Sequence, residues 1–264
     1  MTTTRRDFVR MAGAATAGAL LASPARAANE PALGLIFPPK DYPIPPDAKR
    51  LYPRGVEFLG DGVGLPGGMT IQGYEEAIPR VVPVAEALAK RGAKVISVFG
   101  SSLTFYKGRA FHEELMQRVT KATGVKSTTQ SNGLLDGLRT AGAKRVALAT
   151  AYTDEVTGRL KIFLEEYGFQ VTAAKGLGQL SVPDGMNTAP ILHKLGLESY
   201  AASRKADALV MSCGALRTLD VIVPLEKEIG APVVSSTPHG LMNGVRMLGL
   251  NPRVQGFGMV FAKA

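Results

Sequence analysis

The sequence predicts an α/β protein of two similar lobes, each a parallel sheet flanked by helices, and two observations carry that prediction. After about the first thirty residues, short apolar runs alternate with longer amphipathic ones along the whole chain. Strands that alternate with helices are joined by crossovers, so they pair in parallel and are covered on both faces. There is also a faint internal echo. The stretches "KVISVFGSSLTF" and "DALVMSCGALRT", about 110 residues apart, both run from an apolar strand into a turn of small residues that carry hydroxyls or a thiol. A ligand of two such lobes sits between them, at the carboxyl ends of the strands.

The elements follow in order. "LGLIF" (33–37) reads as the first strand, and the prolines of "PPKDYPIPP" after it exclude helix interior, because proline has no N–H to give. Residues 74–92 have helical periodicity despite internal prolines, and 93–100 read as a buried strand. A cleaner helix over 108–124 is closed by glycine, the residue that most easily takes the left-handed turn at a helix end. In the second half, helices are expected over 131–142, 153–168, 191–205 and 221–230. Strands are expected over 144–150, 169–177, 207–212 and 232–236. Lobe one then comprises about 32–133 with 235–264, and lobe two about 134–234.

Residues 1–27 stand apart. "TTTRRDFVRM" sets Arg5 and Arg6 before a short apolar stretch that ends in "ARA" at 25–27, the pattern of a twin-arginine export signal cleaved after Ala27. That stretch is shorter than the ~20 apolar residues a bilayer span needs. The expectation is therefore a periplasmic protein with no stable membrane insertion after cleavage. The formal charge of +9 includes Arg5, Arg6, Arg10 and Arg26 against Asp7, a net +3, so the mature chain carries +6. A basic surface attracts anions in general, and an anionic small molecule is the partner it admits. No dense Lys/Arg block or aromatic-interleaved basic stripe points to nucleic acid.

The residue-level chemistry is sparse. "GVGLPG" (62–67) satisfies GxGxxG in form only: Pro66 fits a loop, and Glu86, at the spacing of a ribose-binding acid, falls in a helix. His112, His193 and His239 have no metal-ligand spacing, and no CxxC or HExxH occurs, so no metal or cofactor is expected. Cys213 is the only cysteine, so it forms no intrachain disulfide; it is either a buried filler or a working thiol. Gly100, Ser101 and Ser102 end one strand with backbone N–H groups and two hydroxyls that can cradle a carboxylate oxygen, or they form an ordinary hydroxyl-rich turn. Tyr152 ends another, as a donor in the cleft or as a packing tyrosine. Gly214, beside the thiol, lets backbone N–H groups approach a ligand closely.

Taken in order, "GLIFPP", "RLYP", "GSSLTFYKG", "GLR", "KRVALATAYTDEV", "LVMSCGAL", "LD" and "PVVSSTP" resemble the arylmalonate decarboxylases of the aspartate/glutamate racemase superfamily, from about Leu33 to Phe261. The resemblance implies two lobes related by a pseudo-two-fold axis, with the active site in the cleft between them. Racemases and maleate isomerases of that superfamily use two cysteines, one per lobe; here Gly100 takes the first-lobe position, which is the decarboxylase pattern. The implied substrate is a dicarboxylate, an aryl- or alkenyl-substituted malonate. A double oxyanion hole of Ser101, Ser102, Tyr152 and the backbone about Cys213 and Gly214 would stabilise an enediolate, which Cys213 protonates on one face. Leu65, Val182 and Met186 are the candidates for the apolar pocket of the leaving carboxylate, with Pro38 and Pro39 shaping the cleft and Tyr74 among the substrate-binding residues. Ser101 stands where the family usually has threonine, and Ala215 where a second glycine is expected. An isomerase or racemase-like activity, and an exported carboxylate-binding protein, are the alternatives; a monomer is expected.

Overall fold

The computed structural model describes residues 30–183 and 185–264. The export signal expected over 1–27 lies outside the described residues. Among the described residues no helix is long and apolar enough to cross a membrane.

The first half holds β1 (Ala32–Phe37), α1 (Pro46–Leu51), β2 (Glu57–Gly62), α2 (Ile71–Ala77), α3 (Val81–Lys90), β3 (Ala93–Val98), α4 (Ser101–Phe105), α5 (Gly108–Thr123), β4 (Lys126–Thr129) and α6 (Gln130–Ala141). The second holds β5 (Arg145–Thr150), α7 (Asp154–Glu166), β6 (Gln170–Gly176), α8 (Ala189–Ala201), β7 (Ala208–Ser212), α9 (Leu219–Ile229), β8 (Val233–Ser235), α10 (Ser236–Met247) and α11 (Met259–Lys263). The strands form two sheets of orders β2-β1-β3-β4 and β6-β5-β7-β8. Every pairing is parallel. The second order is the first shifted by four strands, so each half builds the same unit, as the sequence predicts.

The central strands are the legible ones. β1 (ALGLIF) and β7 (ALVMS) are buried along their whole length, and a strand covered by helices on both faces requires a continuous apolar run. The edge strands β2 (EFLGDG) and β4 (KSTT) lack such a run and were not expected. The helix expected over 74–92 is three pieces, α2, a 3-10 turn at Ile78–Arg80, and α3. Pro79 and Pro83 supply no backbone donors, which is what divides it. "SSLTF", expected as a turn, is the short helix α4, and α1 opens with Pro46 at its first position, where a missing N–H costs nothing.

The two halves meet along α6 and α10, the helices that directly follow the last strand of each sheet. Residues 236–245 of α10 are all buried, including Ser236, Thr237, His239 and Asn243. The helices approach so closely that a Cβ on Gly133 would stand 2.5 Å from Gly240 Cα, and one on Gly137 would stand 3.0 Å from His239 Cδ2. Glycine here is the condition for backbone-to-backbone contact. Asn243 Nδ2 donates to Asp136 at 2.6 Å, and Thr128 Oγ1 donates to Asn243 Oδ1 at 2.6 Å, so the buried amide of Asn243 is paired at both ends.

Candidate active site

Because both sheets are parallel, their carboxyl ends gather the turns after β1, β3, β5 and β7 on one side of the α6–α10 seam. Between them lies a cavity of about 590 Å³. Its wall is largely apolar, with Phe37, Leu65, Met69, Phe99, Leu180 and Val182 among its lining. Gly100, Ser101, Ser102, Cys213 and Gly214 also line it, as do Pro38 and Pro39. Lys40, exposed, is the single charged residue of that lining. Across the mouth, Met69 N–H donates to Leu180 O at 2.7 Å and so ties a loop of the first half to one of the second. The second loop is clasped by its own amides, Gln179 and Asn187, which exchange two hydrogen bonds of 2.9 Å.

The first-half turn leaves β3 through Phe99 and Gly100 and enters α4 at Ser101. A Cβ on Gly100 would lie 2.5 Å from Pro38 Cγ, so this turn is pressed against the turn after β1. Ser101 is turned inward: its N–H and hydroxyl donate to Gln130 Oε1 at 2.9 and 2.8 Å, and its oxygen lies 2.7 Å from the Ser236 hydroxyl. Ser102 faces two tyrosines, Tyr74 and Tyr152, and opposes a part of the rise that burial gives both phenols.

The second-half turn carries Cys213, 5% exposed, with its Sγ 4.0 Å from Met69 Sδ. Burial pushes the thiol up to about 11, against the smaller opposing effects of the Ala215 N–H, the Tyr152 hydroxyl and the Leu216 N–H. The thiol is therefore protonated at neutral pH. Tyr152 is fully buried, packs edge-on against Phe105 at 5.7 Å between ring centroids, and holds its hydroxyl 3.4 Å from Ser212 Oγ. Desolvation raises its pKa well above the ordinary value, and the neighbouring Cys213 and Tyr74 add to this. Tyr74, also raised by desolvation, is buried with a hydroxyl that closes no hydrogen bond to the described residues.

Eleven of the twelve residues singled out in the sequence thus line or adjoin this cavity, nine of them in its wall and Tyr74 and Tyr152 from behind the part formed by Ser102 and Cys213. Leu65 and Val182 face each other's loops across it, but Met186 does not belong there. It is 50% exposed and absent from the cavity wall, because the turn that begins at Pro183 carries it outward; Met69 and Leu180 occupy the apolar wall instead. Neither had a sequence signal beyond its place in an irregular loop. Gln130 and Ser236 had one: each is the first residue after the fourth strand of its half, the positions related by the internal repeat. His112 and His239 are buried and hydrogen-bonded, and burial lowers both to about 4; His193 pairs with Glu228 at 2.9 Å.

Residues 33–261 match the family model for arylmalonate decarboxylase. The arylmalonate decarboxylase of Bordetella bronchiseptica is 41% identical over 237 residues, covering 89% of this chain and 98% of that protein. A crystal structure of a double mutant of arylmalonate decarboxylase in its liganded form has a TM-score of 0.85 at 40% identity, covering 89% of this chain and 100% of that one. A maleate isomerase of Pseudomonas putida S16, solved with maleate, shares the fold, with a TM-score of 0.79 at 20% identity over 89% of this chain and 98% of its own.

Proposed function

The chain belongs to the arylmalonate decarboxylase family and is a decarboxylase, and from that premise we propose that it removes one carboxylate from an aryl- or alkenyl-substituted malonate through an enediolate that Cys213 protonates. The observation that carries the reading is a single, protonated, buried thiol on the wall of an apolar cavity, facing a first-half turn that has glycine in place of a second thiol. Loss of carbon dioxide leaves the C–C bonding pair on the substrate as an enediolate. Its two oxygens need hydrogen-bond donors, and its α-carbon needs one proton. Cys213 Sγ–H supplies that proton. The thiolate left behind has a conjugate acid near 11, so water reprotonates it at once and no redox step is required.

The donors divide by accessibility. Ser102 lines the cavity and turns its hydroxyl toward a substrate oxygen, while Tyr74 backs it from behind the wall. Ser101 contributes only by trading one of its bonds to Gln130 or Ser236, and Tyr152 acts through its position beside the thiol. The departing carboxylate sits against Leu65, Val182 and the added Met69 and Leu180, where poor solvation favours its loss as neutral gas, while Pro38 and Pro39 shape the aryl side. Lys40 at the mouth attracts the dianion.

Incubating the protein with phenylmalonate in deuterium oxide tests this. The expected result is carbon dioxide release and one deuterium at the α-carbon of a single enantiomer. Wild-type and Cys213→Ala proteins with the same rate, or maleate isomerisation in place of gas release, would sink it. A monomer is part of the same proposal; an elution volume of a dimer would correct that. Export to the periplasm through Arg5 and Arg6 belongs to the same proposal, and retention of an Arg5→Lys, Arg6→Lys variant in the cytoplasm is its expected signature.

A further inference from the structure

We propose that Gln130 is the positioning residue that holds the two catalytic turns in register, a role that rests on the decarboxylase reading above. Gln130 is fully buried and opens α6 directly after β4. Since β4 lies parallel to β3, their carboxyl ends are side by side, and the side chain reaches the turn after β3. Its Oε1 accepts from Ser101 N–H at 2.9 Å and from the Ser101 hydroxyl at 2.8 Å. Its Nε2 donates to Thr237 Oγ1 at 3.1 Å, and Thr237 donates to Gly214 O at 2.8 Å. The chain of bonds therefore starts in the first-half turn and ends in the second-half turn, crossing the α6–α10 seam.

The bonds run in one direction, and that direction selects the residue type. Ser101 N–H is a fixed donor, so it requires an acceptor. Thr237 spends its one proton on Gly214 O, so it requires a donor. A side-chain amide provides both; an ionised carboxylate provides only the first. Space is as tight as the bonding: a Cβ on Gly214 would stand 3.0 Å from Gln130 Oε1. The far end matters because a peptide unit is planar, with its C=O and N–H pointing opposite ways. Gripping Gly214 O turns the next N–H, that of Ala215, back toward the Cys213 sulfur, which it stabilises. Gln130 thus acts on the thiol through Thr237 and on the Ser101–Ser102 turn directly.

The test compares Gln130→Glu, which keeps the acceptor and loses the donor, with Thr237→Val, which leaves the Ser101 bonds intact. With wild-type phenylmalonate turnover as reference, both variants lower kcat by about 10- to 100-fold while KM moves less than about threefold, the pattern of lost geometry in the transition state. A buried glutamate holds its proton more tightly than an exposed one and, once protonated, donates to Thr237. Gln130→Glu accordingly regains activity relative to wild type as pH falls from 8 to 5. Four titratable groups surround this position. Cys213 beyond Gly214 and Tyr152 beyond Ser212 keep their protons well above neutrality, while His239 on α10 and His112 on α5, which reaches Thr129, stay neutral down to about pH 4. Asp136, held by Asn243 and Arg246, lies farther along α6.

A second readout needs no turnover: alkylation of Cys213 by iodoacetamide at pH 9 slows about threefold or more in Thr237→Val, because the thiolate loses its Ala215 N–H. Unchanged kcat in both variants together with unchanged alkylation overturns the role of Gln130. A wild-type protein that releases no carbon dioxide overturns the decarboxylase reading instead, and the alkylation rate then decides the positioning role by itself. Should Gln130→Glu fail to fold, Thr237→Val decides both measurements.

Discussion

The turns after β3 and β7 occupy the same place in two sheets of the same strand order, yet they are chemically opposite. The β3 turn continues straight into a helix, carries two hydroxyls, and has a glycine packed so hard on Pro38 that no side chain fits without movement. The β7 turn carries the thiol, buried and protonated. A repeated frame brings two loops to one cavity, and the residues on those loops then divide the labour. In the proposed reaction protonation comes from the thiol side, and the β3 turn, with glycine at the matching place, offers no second thiol to undo its stereochemistry. Symmetry of backbone is thus compatible with handed chemistry, because a chiral product needs only one of two equivalent positions filled.

Four experiments break or sharpen this contrast. The largest effect is expected from Cys213→Ala, which removes the acid of the second turn and lowers kcat on phenylmalonate by about 10²- to 10⁴-fold, read as carbon dioxide release. Next is acid stability. His112 in the first half and His239 in the second are held near 4 by burial and titrate near 6.5 when unfolded. Their folded pKa values are depressed, so the stability they confer is intact above pH 6.5 and is lost as pH falls toward 4, on the order of 3 kcal/mol each. Thermal melts of His112→Gln and His239→Gln from pH 7 to 4 assign that loss to one half or the other. Gly100→Ala drives a methyl into Pro38 and is expected to cost about 1–3 kcal/mol, seen as a lower Tm, whereas Gly158→Ala, with nothing within 4 Å of its new methyl, stabilises α7 by up to about 1 kcal/mol. Smallest is Lys40→Gln, which raises KM for the dianion by about two- to fivefold with kcat unchanged, the worth of an exposed ion pair.

How much of this was legible follows from where each element sits. β1, β3, β5 and β7 are buried on both faces, so their apolar runs announce them, and the turns that follow carry Gly100, Tyr152 and Cys213. β2 and β4 are edge strands with little to bury, and the glycine-bearing EFLGDG of the one and the polar KSTT of the other lack an apolar run. α10 was invisible for the reverse reason. It is buried almost throughout, yet "STPHGLMNGV" is rich in glycine and polar residues, poor helix formers taken alone. Its helix is justified by what lies against it, chiefly α6, where Gly133 and Gly240 permit contact and Asp136 pairs with Asn243, and also β4, whose Thr128 completes that pairing.

By itself, then, the sequence determined the α/β alternation, the doubling of the unit and the identity of the lone thiol, since these depend on local pattern and residue chemistry, while glycine at its counterpart followed from the resemblance to the arylmalonate decarboxylases. Only the tertiary structure decided that Ser101 faces Gln130, that Met69 and Leu180 replace Met186 on the wall, and that one amide side chain spans both turns. Those facts depend on which groups are brought together across the seam, and a hydrogen bond between residues 107 positions apart, as from Gln130 to Thr237, leaves no trace in the local pattern of either segment.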